Sequence, residues 1–333
     1  MKNELLIKNV LVTGAQGKIG RSLVPRLVDE GFNVRAVQFN EDEPVLFDGV
    51  EIIEGNLRDQ NFAKKALPDM DAVIHLAHVK ENREQFLQSC VNGTFWLLDE
   101  VMKRKHIKQF IQAGSDARAG IFYYPQPIPI DETHIHSAYP GYYAFSKVLE
   151  EVMCEQYRIQ YNTPITVLRF SWVHDEDDIL AHVTLKEPNF GVPIWEEIAK
   201  TPKQKEYFTN NQDAVAMLVH PGGKPGIRHI VGIKDVVDGI LLSLGNKAAV
   251  GKSFNICGPS PFSYDVLAKY ISQKMGLPII EFELEDFYDF SINISLARSV
   301  LGYNPKYDIF AIVDDAIAFR ESGKKRTKTK YIG

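Results

Sequence analysis

The first half of the chain alternates short apolar runs with stretches in which apolar residues recur every three or four positions. The first such pair is a strand at 10–12 and a helix at 19–30. Leu23, Leu27 and Val28 lie on one face of that helix. Further strands are predicted at 34–39, 50–53, 72–76, 109–113 and 165–170. Strands that alternate with helices in this way are typical of an α/β protein with a doubly wound parallel sheet.

A long amphipathic helix is predicted between the fourth and fifth strands, over residues 86–102. Its apolar stripe consists of Leu87, Val91, Phe95, Leu98 and Met102. Because apolar residues at this spacing share one face of an α-helix, we expect that face to pack against the sheet.

The second half of the chain is less regular and predicts a smaller α/β lobe over the carboxyl edge of the sheet. Strands are predicted at 228–233 and 254–257, and helices at 236–244 and 264–275. We assign 1–174, joined by 228–258, to the sheet domain, and 175–227 with 259–333 to the lobe. The basic tail at 324–330 is expected to be a solvated terminus.

Length, composition and charge exclude several classes of protein. The chain has 333 residues, of which 45% are hydrophobic and 24% are charged, as in ordinary soluble globular proteins. Its 38 Lys and Arg residues against 43 Asp and Glu give a formal net charge of -5. Nucleic acid is therefore not expected as a partner, because a protein that neutralises many phosphates needs a basic excess.

The cysteines and the apolar runs indicate the compartment. Cys90, Cys154 and Cys257 stand at spacings that match neither a disulfide framework nor a zinc site. The amino terminus lacks the apolar core of a signal peptide, and no apolar run reaches the roughly 18 residues needed to span a bilayer. We therefore expect a cytoplasmic protein without a membrane partner.

A glycine-rich turn joins the first strand to the first helix. It reads Thr13-Gly14-Ala15-Gln16-Gly17-Lys18-Ile19-Gly20. Glycines permit a tight turn and a close approach of the backbone to a pyrophosphate, and the start of a helix offers unpaired amide donors. Three glycines are common in simple turns, but this position in an α/β pattern predicts a dinucleotide-binding site.

The end of the second strand bears on which dinucleotide binds. An acidic residue there binds the ribose hydroxyls of NAD, whereas a basic residue accommodates the additional phosphate of NADP. The corresponding residue is Gln38, which is neither acidic nor basic. The sequence therefore leaves NAD and NADP both open.

A tyrosine and a lysine four residues apart predict acid–base chemistry. Tyr143 and Lys147 stand at the start of a predicted helix, where this spacing brings both side chains to one face. A tyrosine, with an ordinary pKa of about 10, needs a nearby ammonium to act near neutral pH. Such pairs also occur on exposed helices without any chemical role. Ser115 strengthens the functional interpretation, because it ends the fifth strand at the carboxyl edge, where ligands bind in open α/β sheets.

The histidines are assigned neither a catalytic nor a metal-binding role. His75, in the fourth strand, is expected to be a hydrogen-bonded core residue. His134 and His136 lie in a loop near acidic residues, and His174 precedes an acidic run. Loop histidines are usually solvated, so no metal is expected.

These motifs follow one another in the order and spacing of a known superfamily. They are Gly14-x-x-Gly17-x-x-Gly20, Val73-Ile74-His75-Leu76-Ala77, Val91-Asn92-Gly93-Thr94, Ser115, Tyr143-x-x-x-Lys147 and Leu168-Arg169-Phe170. In these residues the chain resembles the extended short-chain dehydrogenase/reductases, and in particular their NAD-dependent epimerase/dehydratase group. The resemblance continues through 228–235 and 254–258, so it covers most of the chain, and it implies a Rossmann fold.

The resemblance implies a role for each matching residue. Tyr143 would be the general acid/base, Lys147 would lower its pKa and hold the nicotinamide ribose, and Ser115 would orient the reacting group. Asn92 matches a helix asparagine that supports the active site, although a polar residue on a helix needs no such role. Asn56 replaces an aspartate that contacts adenine. The candidate cofactor-binding residues are Gly14, Gln16, Gly17, Lys18, Ile19, Gly20, Gln38, Asn56, Leu57, Leu76, Ala77, Asn92, Tyr143 and Lys147.

The chain departs from the nucleotide-sugar members of the family where those members bind a diphosphate. Ser171-Trp172-Val173-His174-Asp175 stands in place of their Asn-x-Tyr-Gly. The acidic residues 176–178 are expected to repel a diphosphate. Arg228 matches one phosphate-contacting arginine, but a second is absent from 279–294. Ser115, Trp172 and Arg228 are the candidate substrate residues.

These departures favour a sugar or sugar acid that carries no nucleotide. Residues 120–126 and 142–147 are also similar to uronate dehydrogenases. The insert at 175–227 is a candidate substrate lid, although its aromatic residues Trp195, Tyr207 and Phe208 suit the core of the lobe equally well.

The sequence therefore predicts an NAD(P)-dependent oxidoreductase that transfers hydride at a carbohydrate hydroxyl or carbonyl, with a sugar or sugar acid dehydrogenase as the favoured activity. One alternative is a nucleotide-sugar epimerase or dehydratase resembling UDP-glucose 4-epimerase. Another is a regulatory protein that binds the dinucleotide without turnover, although a sensor needs no acid–base set. The resemblance also implies a homodimer formed through helices 86–102 and 143–157.

Overall fold

A seven-stranded sheet forms the centre of the computed structural model, which describes residues 4–39, 44–186 and 190–327. Its strands are β1 (Asn9–Thr13), β2 (Asn33–Gln38), β3 (Glu51–Glu54), β4 (Ala72–His75), β5 (Gln109–Ser115), β6 (Ile165–Phe170) and β11 (Ser253–Ile256). They lie in the order β11-β6-β5-β4-β1-β2-β3, and every neighbouring pair is parallel. The predicted doubly wound α/β fold is confirmed.

Helices bury both faces of this sheet. In the first half they are α1 (Lys18–Asp29), α2 (Phe62–Ala66), α4 (Gly93–Lys103) and α5 (Tyr142–Tyr161). The short α3 (Arg83–Gln85) buries none of its residues. Successive residues of β1 enter different cores: Val10 and Val12 join the core that contains α1, and Leu11 joins the core that contains α4. This explains why β1 is a continuous apolar run, because a strand buried on both faces has no polar side.

The predicted helix over 86–102 is present, and its predicted stripe is buried only in part. The helix opens with a π-helical segment, Phe86–Asn92, before α4. Leu87 and Phe95 are 53% and 36% exposed, so the expected packing is wrong for them, whereas Leu98 is buried and Met102 packs against the same core. The other buried residues of this helix include Phe86, Cys90, Thr94, Leu97 and Val101. Small residues on this side permit the close packing: a Cβ on Gly93 would lie 2.9 Å from the Leu57 Cβ.

The remaining elements of the described chain form the second half of the molecule. They are β7 (Trp172–His174), α6 (Asp178–Val183), α7 (Pro202–Thr209), β8 (Val215–Val219), β9 (Ile227–Arg228), β10 (Ile230–Gly232), α8 (Ile233–Ser243), β12 (Phe262–Ser263), α9 (Tyr264–Met275), β13 (Ile279–Glu283), α10 (Ser295–Leu301) and α11 (Ile309–Glu321). Three pairs form small sheets, β7 with β10, β9 with β12 and β8 with β13. The sequence predicted α9 at its observed bounds but did not predict α6, α7, β8 or β13.

The aromatic residues of the insert contribute to the core of the lobe. Trp195 is buried, with its ring centre 5.3 Å from that of Phe282. Tyr207 and Phe208 are partly buried against the same core. The core alternative is therefore confirmed for Trp195, and packing accounts for the other two.

The carboxyl-terminal segment is docked in part: Lys324 and Lys325 are exposed, as predicted for a solvated terminus, but Arg326 and Thr327 are bound. Arg326 forms ion pairs with Asp177 and Asp178. The Thr327 hydroxyl donates to Glu176 Oε1 at 2.6 Å, and its backbone N–H donates to Glu176 Oε2 at 2.9 Å. The expectation of a solvated terminus is wrong for these two residues, because carboxylates distant in sequence bind them. The predicted tail beyond residue 327 lies outside the described residues.

None of the described helices is long and apolar enough to cross a membrane.

Candidate active site

The glycine-rich turn between β1 and α1 packs as closely against the neighbouring backbone as it does only because its glycines lack side chains. Gly14 has a φ of +69°, and a Cβ there would lie 2.6 Å from the backbone nitrogen of Ala77. A Cβ on Gly20 would lie 2.5 Å from the Gly14 carbonyl oxygen. Gly17 caps α1, and no side chain of the described residues bonds to its first amides. These amides remain available to an anion, so the turn fits a pyrophosphate.

Lysines concentrate positive charge beside this turn. Burial, together with the charges of Lys18 and Lys147, lowers the pKa of Lys80 to about 8. The Lys18 side chain is already paired with Asp178. An anionic ligand in this region relieves the repulsion among the lysines, which further supports a phosphate site. Sequence reasoning missed Lys80, although its position shortly after the small residues that follow β4 was a usable signal.

The structure brings the three predicted catalytic residues together. Ser115 ends β5, whereas Tyr143 and Lys147 lie in the first two turns of α5. The Lys147 ammonium is 5.9 Å from the centre of the Tyr143 ring. The Ser115 side chain interacts with the Tyr143 hydroxyl in the direction that lowers its pKa. A substrate oxygen near both hydroxyls can therefore exchange a proton with Tyr143.

Opposing effects set the pKa of Tyr143. Burial raises this pKa above its ordinary value, whereas Lys147 and Ser115 act to lower it. The carboxylates of Asp116 and Glu150 act in the same direction as burial. Lys147 donates to Glu150 Oε2 at 2.9 Å and to the Ala113 carbonyl at 3.0 Å. The position of Lys147 is thus fixed by a buried carboxylate.

The start of α5 is held by the loop that follows β4. The Glu81 carboxylate accepts hydrogen bonds from the backbone amides of Tyr142 at 2.9 Å and Tyr143 at 3.3 Å. A carboxylate at a helix N-terminus satisfies free donors and favours the helix dipole. Glu81 therefore fixes the position of Tyr143 relative to β4, the strand that pairs with β1. No local pattern in the sequence identified Glu81.

Asp116 adds a carboxyl group beside Ser115. Its Oδ2 accepts from the Ser171 hydroxyl at 2.8 Å, and its Oδ1 accepts from the Ser115 hydroxyl at 3.2 Å. Burial raises the pKa of Asp116 to about 6, although Ser171, Ser115 and Arg228 act to lower it. Asp116 was absent from the predicted site residues, and its position next to Ser115 was the signal that could have revealed it.

The predicted substrate residues Trp172 and Arg228 are in direct contact. The Arg228 guanidinium lies 4.0 Å from the centre of the Trp172 ring and 4.9 Å from that of Phe122. Its Nη1 donates to the Val192 carbonyl at 2.9 Å and to the Tyr264 hydroxyl at 3.3 Å. The buried Nε has no hydrogen-bond partner among the described residues. Aromatic rings therefore cover a cation that still has an unused donor.

The acidic run after β7 is neutralised by cations from distant parts of the chain. Asp178 pairs with Lys18 and Arg326, and Asp177 pairs with Arg320 at 2.8 Å. The expectation that residues 176–178 repel a diphosphate is therefore wrong, because cations already balance the charges of Asp177 and Asp178. The sequence showed only a local run of acidic residues. The cations that pair with them, Arg320, Arg326 and Lys18, are about 140–160 residues away along the chain.

Two predicted cofactor residues differ from the others: Gln38 ends β2 as predicted but bonds within the protein, and Asn92 faces outward. Gln38 is buried, and both ends of its side-chain amide bond to the backbone of Val45. Asn92 is exposed and lines a surface groove with Arg58 and Trp96. The Gln38 side chain thus holds Val45 in the loop between β2 and β3. Asn92 lines the surface groove and not the site of Ser115, Tyr143 and Lys147.

The other predicted cofactor residues lie in the turn or follow the carboxyl ends of β3 and β4. Gln16 Oε1 accepts the Phe39 backbone N–H at 2.7 Å, which ties the turn to the end of β2. Asn56 Oδ1 accepts the Arg58 backbone N–H at 3.0 Å, which forms a tight turn after β3. Ile19, Leu57, Leu76 and Ala77 are half-buried, as are Gly14, Gln16, Lys18 and Asn56.

His75 is a hydrogen-bonded core residue, as predicted. Its Nδ1 is 2.6 Å from the Thr13 hydroxyl and its Nε2 is 3.0 Å from the Thr94 hydroxyl. Burial lowers the pKa of His75 to about 3, so the ring is neutral. His136 instead accepts from Arg118 at 3.2 Å, and a neighbouring cation does not suit a metal site.

A doubly wound sheet with an anion-binding glycine turn on its first strand defines the class of dinucleotide-binding α/β proteins. Within that class the chain belongs to the NAD dependent epimerase/dehydratase family, whose model matches residues 10–176. The predicted membership of the NAD-dependent epimerase/dehydratase group is confirmed.

Similar proteins cover almost the whole chain. A UDP-glucose 4-epimerase of Streptococcus mutans serotype c is 26% identical over an alignment 351 positions long. The alignment covers 95% of this chain and 98% of that protein. A short-chain dehydrogenase/reductase superfamily protein from Agrobacterium tumefaciens, solved with bound NAD, has a TM-score of 0.78 at 24% identity, covering 95% of this chain and 98% of that one.

A UDP-glucuronic acid 4-epimerase from Bacillus cereus in complex with NAD has a TM-score of 0.72 at 19% identity, covering 95% of this chain and all of that one. At these identities the two solved structures bear on the fold, and both hold NAD. The predicted nicotinamide dinucleotide cofactor is confirmed at the level of NAD or NADP.

Proposed function

We propose that this protein is an NAD(P)-dependent oxidoreductase that oxidises a hydroxyl of a free sugar or sugar acid. The observation that carries the proposal is the contact between Trp172 and Arg228, whose centres lie 4.0 Å apart. The indole covers the arginine that matches a phosphate-contacting residue of nucleotide-sugar enzymes. With its Nη1 bonded to Val192 and Tyr264 and its plane under the indole, Arg228 is poorly placed to hold a diphosphate.

The cofactor fits the chain's own residues. The glycines at 14, 17 and 20 and the first amides of α1 hold the pyrophosphate, with Lys80 nearby. Lys147 holds the nicotinamide ribose. When bound, the cofactor supplies the hydride acceptor.

Three side chains carry the proton chemistry. The Ser115 hydroxyl orients the substrate oxygen, and Tyr143 takes the proton from it. Lys147 favours the ionised form of Tyr143 through its positive charge, which acts to lower the tyrosine pKa. Asp116 keeps Ser115 in place through the hydrogen bond that it accepts.

A second candidate function is epimerisation or dehydration of a nucleotide sugar. The similarity to a UDP-glucose 4-epimerase over 95% of this chain favours it. The pairing of Asp177 and Asp178 with cations also removes one electrostatic objection to a diphosphate. The dehydrogenase acting on a free sugar or sugar acid stays the main proposal, because the Trp172 ring covers Arg228.

The deciding experiment begins with freshly purified protein. Any nucleotide is released by denaturation, and its identity and redox state are determined by mass and absorbance. Free sugars and sugar acids are then tested for reduction of added NAD or NADP, and UDP-glucose is tested for conversion to UDP-galactose.

Each outcome has a definite meaning. Cofactor reduction by a free sugar or sugar acid supports the proposal and identifies the cofactor. Tightly retained NAD with interconversion of UDP-sugars and no net reduction refutes it in favour of the epimerase. Reversible cofactor binding without any turnover supports the regulatory alternative.

We also propose that the protein forms a homodimer through α5 and through α4 with the π-helical segment that precedes it. Exposed apolar side chains follow both helices, and they are Leu87, Phe95, Phe145, Val152 and Ile159. An apolar surface of this extent is typical of an interface. Light scattering after gel filtration should give a dimer, and Val152→Glu should give a monomer. Val266→Glu, at an equally exposed valine of α9, should remain dimeric.

We propose the domain division 1–174 with 228–258 for the cofactor, and 175–227 with 259–333 for the substrate. Two strand pairings support it. The returning segment supplies β11, which pairs with β6 in the main sheet. In the lobe, β8 from the first part pairs with β13 from the second.

We assign the protein to the cytoplasm. Cys90, Cys154 and Cys257 are all buried free thiols, as is typical of a reducing compartment.

A further inference from the structure

A buried carboxylate that is absent from the predicted site residues lies behind the proposed tyrosine–lysine pair. Glu150 follows Lys147 by three positions on α5, and its side chain is 1% exposed. Its Oε2 accepts from the Lys147 ammonium at 2.9 Å and from the Gln112 amide at 3.0 Å. No hydrogen bond joins Glu150 to Tyr143 in the described part of the chain. Glu150 therefore acts on the tyrosine through Lys147 and through its own charge.

Lys147 depends on Glu150 for its positive charge. The Lys147 side chain is 5% exposed, and its ammonium donates to Glu150 Oε2 and to the Ala113 carbonyl. A buried ammonium without a counterion tends to lose its proton. Although burial acts to lower the pKa of Lys147, the charge of Glu150 helps to raise it above its ordinary value.

The groups around this pair do not replace the charge of Glu150. His78 Nε2 lies 3.4 Å from Glu150 Oε1, but burial holds the pKa of His78 well below its ordinary value, so the ring is neutral. Burial also shifts the pKa values of four more neighbours toward their neutral forms, and these are His75, Cys90, Tyr139 and Cys154. The charged groups nearby are Lys80, Asp116 and Glu81.

We propose that Glu150 is a positioning residue for the proton transfer: its carboxylate holds Lys147 as a charged ammonium beside Tyr143 and fixes the pH range in which the pair works. This inference rests on the proposed roles of Tyr143 and Lys147. Burial and the charge of Glu150 both act to raise the pKa of Tyr143, and Glu150 offsets the effect of burial on the pKa of Lys147. Loss of the negative charge should therefore lower both pKa values.

The first test compares the pH profiles of turnover of full-length wild type and Glu150→Gln, with a carbohydrate that the wild type oxidises. We expect both limbs of the profile to move to lower pH by at least about one unit. A unit charge within about 7 Å, at an effective dielectric constant of about 20, shifts a pKa by more than about one unit. Lys80 and Asp116 are present in both proteins, so the difference isolates Glu150. A merely structural role would lower the rate and leave the profile in place.

Two variants serve as controls. Glu150→Asp keeps the charge on a shorter side chain, so its profile should stay close to that of the wild type even where its turnover is lower. Glu151 is the next residue on α5 and is also buried, but Arg118 and Arg169 bind its carboxylate. Glu151→Gln should therefore leave the profile in place.

Nuclear magnetic resonance tests the proposal in the wild type without turnover. Signals of labelled tyrosine and lysine side chains, assigned with Tyr143→Phe and Lys147→Met, report the charge of each residue. We expect Lys147 to remain an ammonium at about pH 9. A neutral Lys147 at that pH overturns the proposal, and so does a wild-type pH profile in folded Glu150→Gln.

The role of Glu150 and the proposed function fail separately. If the protein oxidises no sugar or sugar acid, the proposed function is refuted. A charged Lys147 in wild type and a lower tyrosine pKa in Glu150→Gln would still support the role of Glu150.

Discussion

The two ends of the candidate active site are built from different parts of the polypeptide. At the cofactor end the backbone forms the site, since Gly14 and Gly20 leave no room for a Cβ and the first amides of α1 are free of side-chain caps. At the substrate end, side chains form it, with Arg228 between two aromatic rings and Asp116 between two serines. A backbone site leaves a glycine spacing in the sequence, whereas a side-chain site assembled from distant segments leaves no local pattern.

Tyr143→Phe should give the largest effect, because the proposed proton transfer depends on one hydroxyl at the junction of the two ends. We expect turnover to fall by about 10²–10⁴-fold while cofactor affinity stays nearly unchanged. The measurement is steady-state cofactor reduction together with a cofactor titration. Tyr142→Phe is the control, since that exposed neighbour should retain activity. Substantial turnover by Tyr143→Phe would refute the assignment.

Gly14→Ala tests the backbone end. Both Gly14 and Gly31 have positive φ angles, so an alanine at either position costs about 1–2 kcal/mol in backbone strain. A Cβ on Gly14 also meets the Ala77 backbone at 2.6 Å, whereas nothing lies within 4 Å of one on Gly31. We expect Gly14→Ala to lose about 2–5 kcal/mol of unfolding free energy and to bind cofactor poorly. Equal losses in the two variants, measured by urea unfolding, would contradict this interpretation.

Asp116 makes the stability of the substrate end dependent on pH. Its pKa is raised from 3.8 to about 6, so the fold favours the protonated carboxyl. This contribution is complete below about pH 4 and is lost as the pH rises through about 6, by about 2–3 kcal/mol. Buried histidines such as His75 and His229 contribute in the opposite direction over this range in both proteins, so the loss is measured as the difference between wild type and Asp116→Asn in urea unfolding at pH 4 and pH 7. Asp116→Asn should lack it, and parallel profiles for the two proteins would exclude the effect.

Trp172→Ala should give the smallest change and should separate the two ends. Loss of the ring over Arg228 removes a cation–π contact of about 0.5–2 kcal/mol. We expect the KM for the carbohydrate to change by up to about tenfold while the KM for the cofactor does not change. A shift confined to the cofactor would show that Trp172 belongs to the other end.

The sequence predicted the sheet and the cofactor end well for a physical reason. Strands buried on both faces read as apolar runs, and the junction of β1 with α1 is local in sequence. Ser115, Tyr143 and Lys147 were also predictable, because each occupies a defined position at a strand end or helix start. These signals depend on neighbouring residues alone.

Features that depend on distant partners were not predictable in this way. Glu81 caps α5 from 61 residues away, and the pairing of β8 with β13 joins segments about 60 residues apart. The acidic run at 176–178 looked repulsive until its partners were placed beside it. Gln38 was chosen by its position on β2, but its bonds to Val45 could be seen only in three dimensions.

The docked carboxyl-terminal segment bears on where the protein can be truncated. Arg326 binds Asp178, and Asp178 also binds Lys18 of the glycine turn, so the last described residues are one contact away from the cofactor end. A truncation that removes Arg326 takes away one of the two cations that pair with Asp178, and we expect it to change how Lys18 is held beside the glycine turn.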